Sequence, residues 1–300
     1  MPRTHVRSHF YKLSTRAVAK IIIEHRTIRW RTPLQFNDPF DTQTRLTANV
    51  DPDKYADRFM QRLDELAFAP DVPPYYDPAN RLHQAAMVMR NTTALEKRRE
   101  ALEFMRPAAL HSALNLSTSL EKFSDELAAH MQHGRTFCLT ENINNVVMWS
   151  HYAEEHKGVG FKLRVLDDID HPFLIAKPVT YSDAYICVGD SVQMADHFVH
   201  AAPIDLAELA WELVYLKHSD WRYENEWRCY WPLLDEPVGT GYIDPVQDPR
   251  LFEAIYLGCK MDEGERMEII NLAARCLPNT EIFLARKSST SFDLVFDRIQ

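Results

Sequence analysis

Eight glycines in 300 residues constrain this chain more than any other single feature. A chain of this length ordinarily carries about twenty. Glycine lets a backbone approach a phosphate closely or turn with positive φ, so a glycine-poor sequence lacks the usual nucleotide-binding loops. Neither G-x-x-x-x-G-K-[ST] nor G-x-G-x-x-G occurs, which excludes a P-loop and a dinucleotide fingerprint. Gly158-Val159-Gly160 and Gly239-Thr240-Gly241 lack the third glycine and read as turns.

The remaining composition, 46% hydrophobic and 26% charged, is that of a globular protein able to bury a sizeable core. The first ten residues carry basic side chains with no apolar run behind them, and the apolar stretch 17–23 is short and interrupted by Lys20. Neither a secretory signal nor a membrane span is expected. The five cysteines (Cys138, Cys187, Cys229, Cys259, Cys276) are odd in number, with no C-x-x-C. They read as reduced thiols, mostly buried, in a cytoplasmic protein.

Periodicity divides the chain in three. Residues 9–13 read as a strand, and Ser14 as the cap of a helix with Val18, Ile21 and Ile22 on its core face. A second strand, 27–31, is centred on Trp30 and leads through Pro33 to a loop at 36–41. From 51 to 133 the pattern is helical. Asp51 caps a helix with Pro52 in its first turn, and Tyr55, Phe59 and Leu63 share a stripe. Four prolines make 70–78 a loop, Pro107 breaks or kinks the longest helix, and Ser117-Thr118-Ser119 reads as an N-cap. Beyond 133 a strand at 135–140 precedes a helix at 145–157, ended by Gly158, and a strand at 159–165. Leu206, Leu209, Ala210, Leu213 and Val214 mark an amphipathic helix. Further strands are expected near 223–231, 254–257, 281–284 and 292–296, with a helix near 262–276. The fold class is α+β, a central mixed sheet with a helical insertion. It reads as a single domain, 1–300, with a sheet-containing core of 1–50 and 134–300 and an insertion of 51–133.

The net charge of −9 conceals an asymmetry. Residues 1–31 hold eight basic residues against Glu24, a net +7, which leaves −16 on the rest. Such a segment suits a phosphate-bearing ligand or nucleic acid. It equally suits attraction between two parts of one surface.

Three segments concentrate polar groups. In Trp221-Arg222-Tyr223-Glu224-Asn225-Glu226-Trp227-Arg228-Cys229, strand alternation puts Arg222, Glu224, Glu226 and Arg228 on one face. Trp221, Tyr223, Asn225, Trp227 and Cys229 share the other, with the tryptophans expected to be mostly buried. Two carboxylates so placed perturb one another and can orient a sugar hydroxyl, stabilise a cation or act as a base. The same pattern also fits a solvated face of alternating charge. In Met148-Trp149-Ser150-His151-Tyr152-Ala153-Glu154-Glu155-His156-Lys157-Gly158, Trp149 belongs to the core, and His151 and Tyr152 are candidates to line a pocket. His156 and Gly158 suit a helix C-terminus. In Phe36-Asn37-Asp38-Pro39-Phe40-Asp41, Asn37 and Asp38 either build a turn or form a site wall. The pairs His130/His133 and His197/His200 lack further ligands, so no metal is expected. No nucleophile motif occurs.

Taken in chain order, the three segments resemble the domain-of-unknown-function 2971 family of bacteria. Its pattern runs from a Tyr-Lys-Tyr-like strand through a Phe-Asn-Asp-Pro-Phe-Asp loop and a Cys-Phe-Ser strand. A Met-Trp-x-His-Tyr-Ala…His-x-Gly helix and a Trp-x-Tyr-Glu-x-Glu-Trp-Arg strand follow. Here these are Tyr11-Lys12, Phe36 to Asp41, Cys138-Leu139-Thr140, Met148 to Gly158 and Trp221 to Arg228. The layout is also similar to ADP-ribosyltransferase folds. That resemblance implies NAD as the ligand, with Glu226 orienting the ribose and Glu224 assisting the acceptor. His9, Tyr11, Lys12, Asn37, Asp38, Asp41, His151, Tyr152 and Arg228 would surround NAD, an aromatic such as Tyr152 stacking on nicotinamide. ADP-ribosyl transfer or NAD cleavage follows as the leading expectation, in a bacterial toxin or phage-defence effector. Alternatives are a non-catalytic module binding a ligand or partner, and a metal-dependent nuclease using Asp38, Asp41, Glu224 and Glu226.

Overall fold

The computed structural model describes residues 2–42, 45–92, 94–232, 237–245 and 248–300. It forms two units, one made of Met1–Gln43, Ala129–Asp183 and Val214–Gln300, the other of Thr44–Ala128 and Ala184–Leu213.

The first unit is built on a mixed sheet. In chain order its strands are β1 (His9–Ser14), β2 (Arg135–Thr140), β3 (Val159–Arg164), β4 (Lys177–Pro178), β5 (Glu226–Trp231), β6 (Phe252–Leu257), β7 (Glu281–Lys287) and β8 (Leu294–Arg298). Across the sheet they run β8-β7-β6-β3-β1-β2-β5-β4. Only β6 and β7 are parallel, because the helix Glu263–Cys276 carries the chain from one to the other; the other pairs are antiparallel. Strand alternation gives the sheet two apolar faces. One holds Phe10, Phe137, Leu139, Phe161 and Cys229 against Ile22 and Ile23 of the helix Arg16–His25 and Ile269 of the helix Glu263–Cys276. The other holds Leu13, Ala254 and Tyr256 against Met148 and Trp149 of the helix Val146–Tyr152. Truncating the fully buried Trp149, whose indole N–H donates to the Ile143 carbonyl at 2.7 Å, would cost about 3–5 kcal/mol.

The helix Arg16–His25 is capped by Thr15, not Ser14, which ends β1. Its core face is Ala19, Ile22 and Ile23, while Val18 and Ile21 are exposed. The observed stripe lies one residue, about 100°, round the helix from the expected one, which leaves these two side chains outside the core.

The second unit contains the helices Pro52–Phe68, Arg81–Thr92, Leu95–Glu103, Arg106–Leu114 and, with its last turn outside the unit, Leu116–Met131. Asp51 caps the first of them, and Pro107 stands in the first turn of Arg106–Leu114. Among the described residues no strand falls between 51 and 133, as the periodicity predicts. Ser117, Thr118 and Ser119 lie inside their helix and do not cap it. The unit also takes in Ile186–Asp190, paired with Leu46–Asn49, and the helix Ser191–Phe198. The sequence pattern gave no sign that these residues join the helical segment. Among the described residues no helix is long and apolar enough to cross a membrane. The cysteines are free, but only Cys229 is buried, fewer than expected.

Candidate functional site

The strand expected at 223–231 begins later. Ser219–Glu224 forms a 3-10 turn closed by Asn225 in the left-handed region, φ 43°, a conformation asparagine tolerates better than most residues. Alternation therefore holds only from Glu226 onward. Trp227 and Cys229 pack toward the larger core, with Glu226 and Arg228 on the opposite side. Trp221 and Trp227 are half-buried, Trp149 completely so. Arg222 stays exposed, its guanidinium 5.9 Å from the Tyr181 ring.

The turn has a consequence for the carboxylates. A Thr140 hydroxyl donates to the Glu224 carbonyl at 2.6 Å, and the Asn145 amide donates to the Tyr223 carbonyl at 2.6 Å. Thus anchored, Glu224 turns its carboxylate toward that of Glu226, and Lys217 lies between them. The Lys217 Nζ donates to Glu224 Oε2 at 2.5 Å and Glu226 Oε2 at 2.9 Å, with Asp41 Oδ2 3.7 Å away. Arg228 grips Glu226 through Nε and Nη2 at 2.8 and 3.1 Å, and its Nη2 donates to Asp41 Oδ2 at 2.6 Å. Its Nη1 donates to the Val214 carbonyl at 2.7 Å. From the helix Val146–Tyr152, the Tyr152 hydroxyl donates to Glu224 Oε1 at 2.5 Å. All five charged members of this cluster are at most 5% exposed.

Three acids and two bases share this buried volume. Isolated buried ions cost several kcal/mol each, so such a cluster persists only when its members compensate one another. Burial pushes Glu226 up, but Arg228 and Lys217 outweigh it and hold its carboxyl well below the usual range. Burial dominates at Glu224 and Asp41, and both are raised despite Lys217 and Arg228 respectively. Lys217 is disfavoured by burial but raised overall by Glu226, Glu224 and Asp41. The two glutamates therefore have opposed proton affinities.

A cavity of about 440 Å³ adjoins the cluster, lined among others by Asp41, Tyr152, Lys217, Glu224 and Glu226. It opens where β1 and β2 pair at a single position, Tyr11 with Thr140. Both strands line it beyond that point, and Lys12 reaches across to donate to the Cys138 carbonyl at 2.7 Å. Burial lowers the Lys12 pKa and pushes the Cys138 thiol up to about 12. Tyr11, Lys12 and Asn37 also line the cavity.

Other expected site residues lie elsewhere. The Asp38 carboxylate accepts from the Phe40 N–H at 2.9 Å and builds the turn. His9 contacts Ser8 and Tyr11 and is no part of the cavity lining. His151 meets the Tyr223 hydroxyl at 3.1 Å on the exposed side of its helix. The helix itself stops at Tyr152, five residues short of expectation, because Glu154, Glu155 and His156 all take positive φ. A left-handed conformation costs about 1–2 kcal/mol per residue. The Arg16 fork on Glu154, at 3.1 and 2.6 Å, offsets part of that. Gly158 is needed here because a Cβ would sit 2.3 Å from the Ser14 carbonyl oxygen.

The sequence does not single out Lys217. Its one signal is a charged residue closing the apolar run Leu213-Val214-Tyr215-Leu216. Tyr181, whose hydroxyl accepts from the Glu226 N–H at 2.8 Å, carries no signal at all.

An α+β unit with a buried, acid-rich ionic cluster beside a cavity is the class that fold and site define. Residues 148–229 match the model of a family described as "Protein of unknown function (DUF2971)". The matched stretch contains Tyr152, Lys217, Glu224, Glu226 and Arg228. No curated protein and no solved structure matches the chain.

Proposed function

We propose that the cavity binds NAD and that the cluster cleaves its bond between nicotinamide and ribose, passing ADP-ribose to water or an acceptor. One observation carries this reading: two neighbouring buried glutamates with proton affinities driven apart, at the wall of a ligand-sized cavity. Such pairs are how acid–base roles are divided. Glu226, kept ionised, would orient the ribose and stabilise the oxocarbenium-like centre as the C1′–N bond breaks. Nicotinamide leaves with the bonding electrons as a neutral base and needs no proton. The acceptor oxygen attacks C1′, and Glu224 takes its proton. Asp41 Oδ1, buried and without a partner, supplies a further acceptor for a ribose hydroxyl.

A second reading has its own support. Arg228 and Lys217 occupy both Glu226 oxygens, as in a binding site that recognises a ligand without turnover. A nuclease reading is weaker, since the Lys217 ammonium already holds the position among the carboxylates that a divalent ion would need, and Asp38 is committed to its turn.

The test is nicotinamide release from NAD by the full chain and by Glu226→Gln. Losing one acid leaves two acids with two bases, so the variant should fold. Its release rate should fall at least about a hundredfold, the usual weight of one electrostatic stabiliser. A folded variant with undiminished release rejects the mechanism, and ligand-induced stabilisation without release favours the binding module.

A further inference from the structure

We propose that Lys12, Arg29, Arg31 and Thr136 form a subsite for the diphosphate of a nucleotide. The proposal rests on the cavity being the ligand site described above, though not on bond cleavage there.

The asymmetric N-terminal charge resolves into two populations. Arg3, Arg7, Arg16 and Lys20 are paired with Asp167, Glu141, Glu154 and Glu268. For these the charge excess is internal attraction. Lys12, Arg29 and Arg31 instead line the cavity, and among the described residues none of the three has a carboxylate partner. Arg29 lies in the strand Thr27–Trp30 and Arg31 continues it in a bridge to Thr136, so the two share one face with Thr27. Their neighbours Ile28, Trp30 and Thr32 are buried on the other face. Lys12 spends one of its three donors on the Cys138 carbonyl.

Two further observations point to a ligand. Thr136, a residue 1% exposed, is among those lining the cavity, and its buried hydroxyl oxygen has no hydrogen-bond partner. A buried hydroxyl left so is costly unless something supplies the bond. Thr136 and Arg31 exchange backbone hydrogen bonds at 2.8 and 2.9 Å, which sets the two residues opposite one another on one face. Gly241 keeps the wall open, since a Cβ there would stand 3.0 Å from Arg29 Nε. Lys12 feels repulsion from Arg31 as well as attraction from Glu226 and Glu224, and an anion placed among the three cations relieves their mutual repulsion. Two forked guanidiniums and an ammonium suit phosphate oxygens. The acid cluster lies in the same cavity, so a ligand with phosphates beside a ribose meets both ends.

The experiment is calorimetric titration of the full chain with ADP, adenosine and inorganic pyrophosphate. ADP should bind at least about tenfold more tightly than adenosine, the weight of one charge-assisted hydrogen bond. Arg29→Ala combined with Arg31→Ala should remove that advantage, and Arg26→Ala, which does not line the cavity, should keep it. Should the double variant lose its melting transition, the single variants Arg29→Gln and Arg31→Gln carry the same comparison. Equal affinities for ADP and adenosine, binding of neither ADP nor pyrophosphate, binding of an oligonucleotide without ADP, or unchanged variants would each overturn the proposal. ADP binding that survives Glu226→Gln, alongside NAD that is never cleaved, would reject the cleavage reading and leave this subsite standing.

Discussion

Each unit of the molecule contains a cluster in which arginine meets buried carboxylate, and the two are composed differently. In the helical unit Asp196 receives forks from both Arg58, at 2.7 and 2.8 Å, and Arg62, at 2.9 and 3.0 Å. Arg62 also reaches Glu65, which accepts from Tyr75. Acids and bases are equal in number, and hydrogen bonds from Arg62, ahead of those from Arg58, hold Asp196 far below the ordinary range. In the sheet unit two bases serve three acids. One carboxyl is held low and the others are raised. Matched charges make a staple between helices. An excess of acid leaves a group ready to exchange a proton, and that group borders a cavity.

The largest expected effect comes from Lys217→Met. It leaves three buried acids facing one arginine and should destabilise by about 3–5 kcal/mol in denaturant unfolding. Arg62→Met should cost less, about 1.5–3 kcal/mol, the range for hydrogen bonds to a charged group, because Arg58 still serves Asp196. If Arg62→Met proves the costlier, the contrast between the clusters fails. Asp41→Asn should be milder still, about 1 kcal/mol, because Arg228 keeps both bonds to Glu226 and one Asp41 oxygen has no partner to lose.

The pH dependence sharpens the contrast. Glu226 and Asp196 have folded values below their unfolded ones, so their stabilisation is present above the ordinary carboxylate range and fades as pH falls through the folded values. Glu224 has the opposite sign: its proton is held more tightly in the folded state, and stability from it is lost as pH rises through the folded value. If Glu224 is the base, activity should rise along a limb above the 4.5 of an unperturbed glutamate, and Glu224→Gln should erase that limb.

Local structure was legible where one period runs undisturbed. The strand Arg135–Thr140 and the helix start at Asp51-Pro52 follow the pattern residue for residue. It was not legible where φ turns positive in residues other than glycine, as at Glu154–His156 and Asn225. No residue type marks the turn at Glu154–His156, where the Arg16 fork holds Glu154; at Asn225 the asparagine permits the conformation, but the strand pattern around it hides the turn. The site followed the same division. Glu224, Glu226 and Arg228 stood out as one concentrated polar face and Tyr152 as a mid-helix pocket candidate, while Asp41 entered with the family resemblance. Lys217 did neither, because its role depends on three carboxylates brought to it by tertiary structure. His151 fits the motif pattern and His9 entered through the ADP-ribosyltransferase resemblance, yet neither lines the cavity.

The central claim, that surplus acid drives two neighbouring glutamates apart, is most directly tested by carbon-13 titration of the side-chain carboxyls of Glu224 and Glu226 in the folded protein, assigned through their glutamine variants. Glu224 should titrate above the unperturbed 4.5 and Glu226 below it. Two carboxyls titrating together near that value, or Glu224 below Glu226, would contradict it.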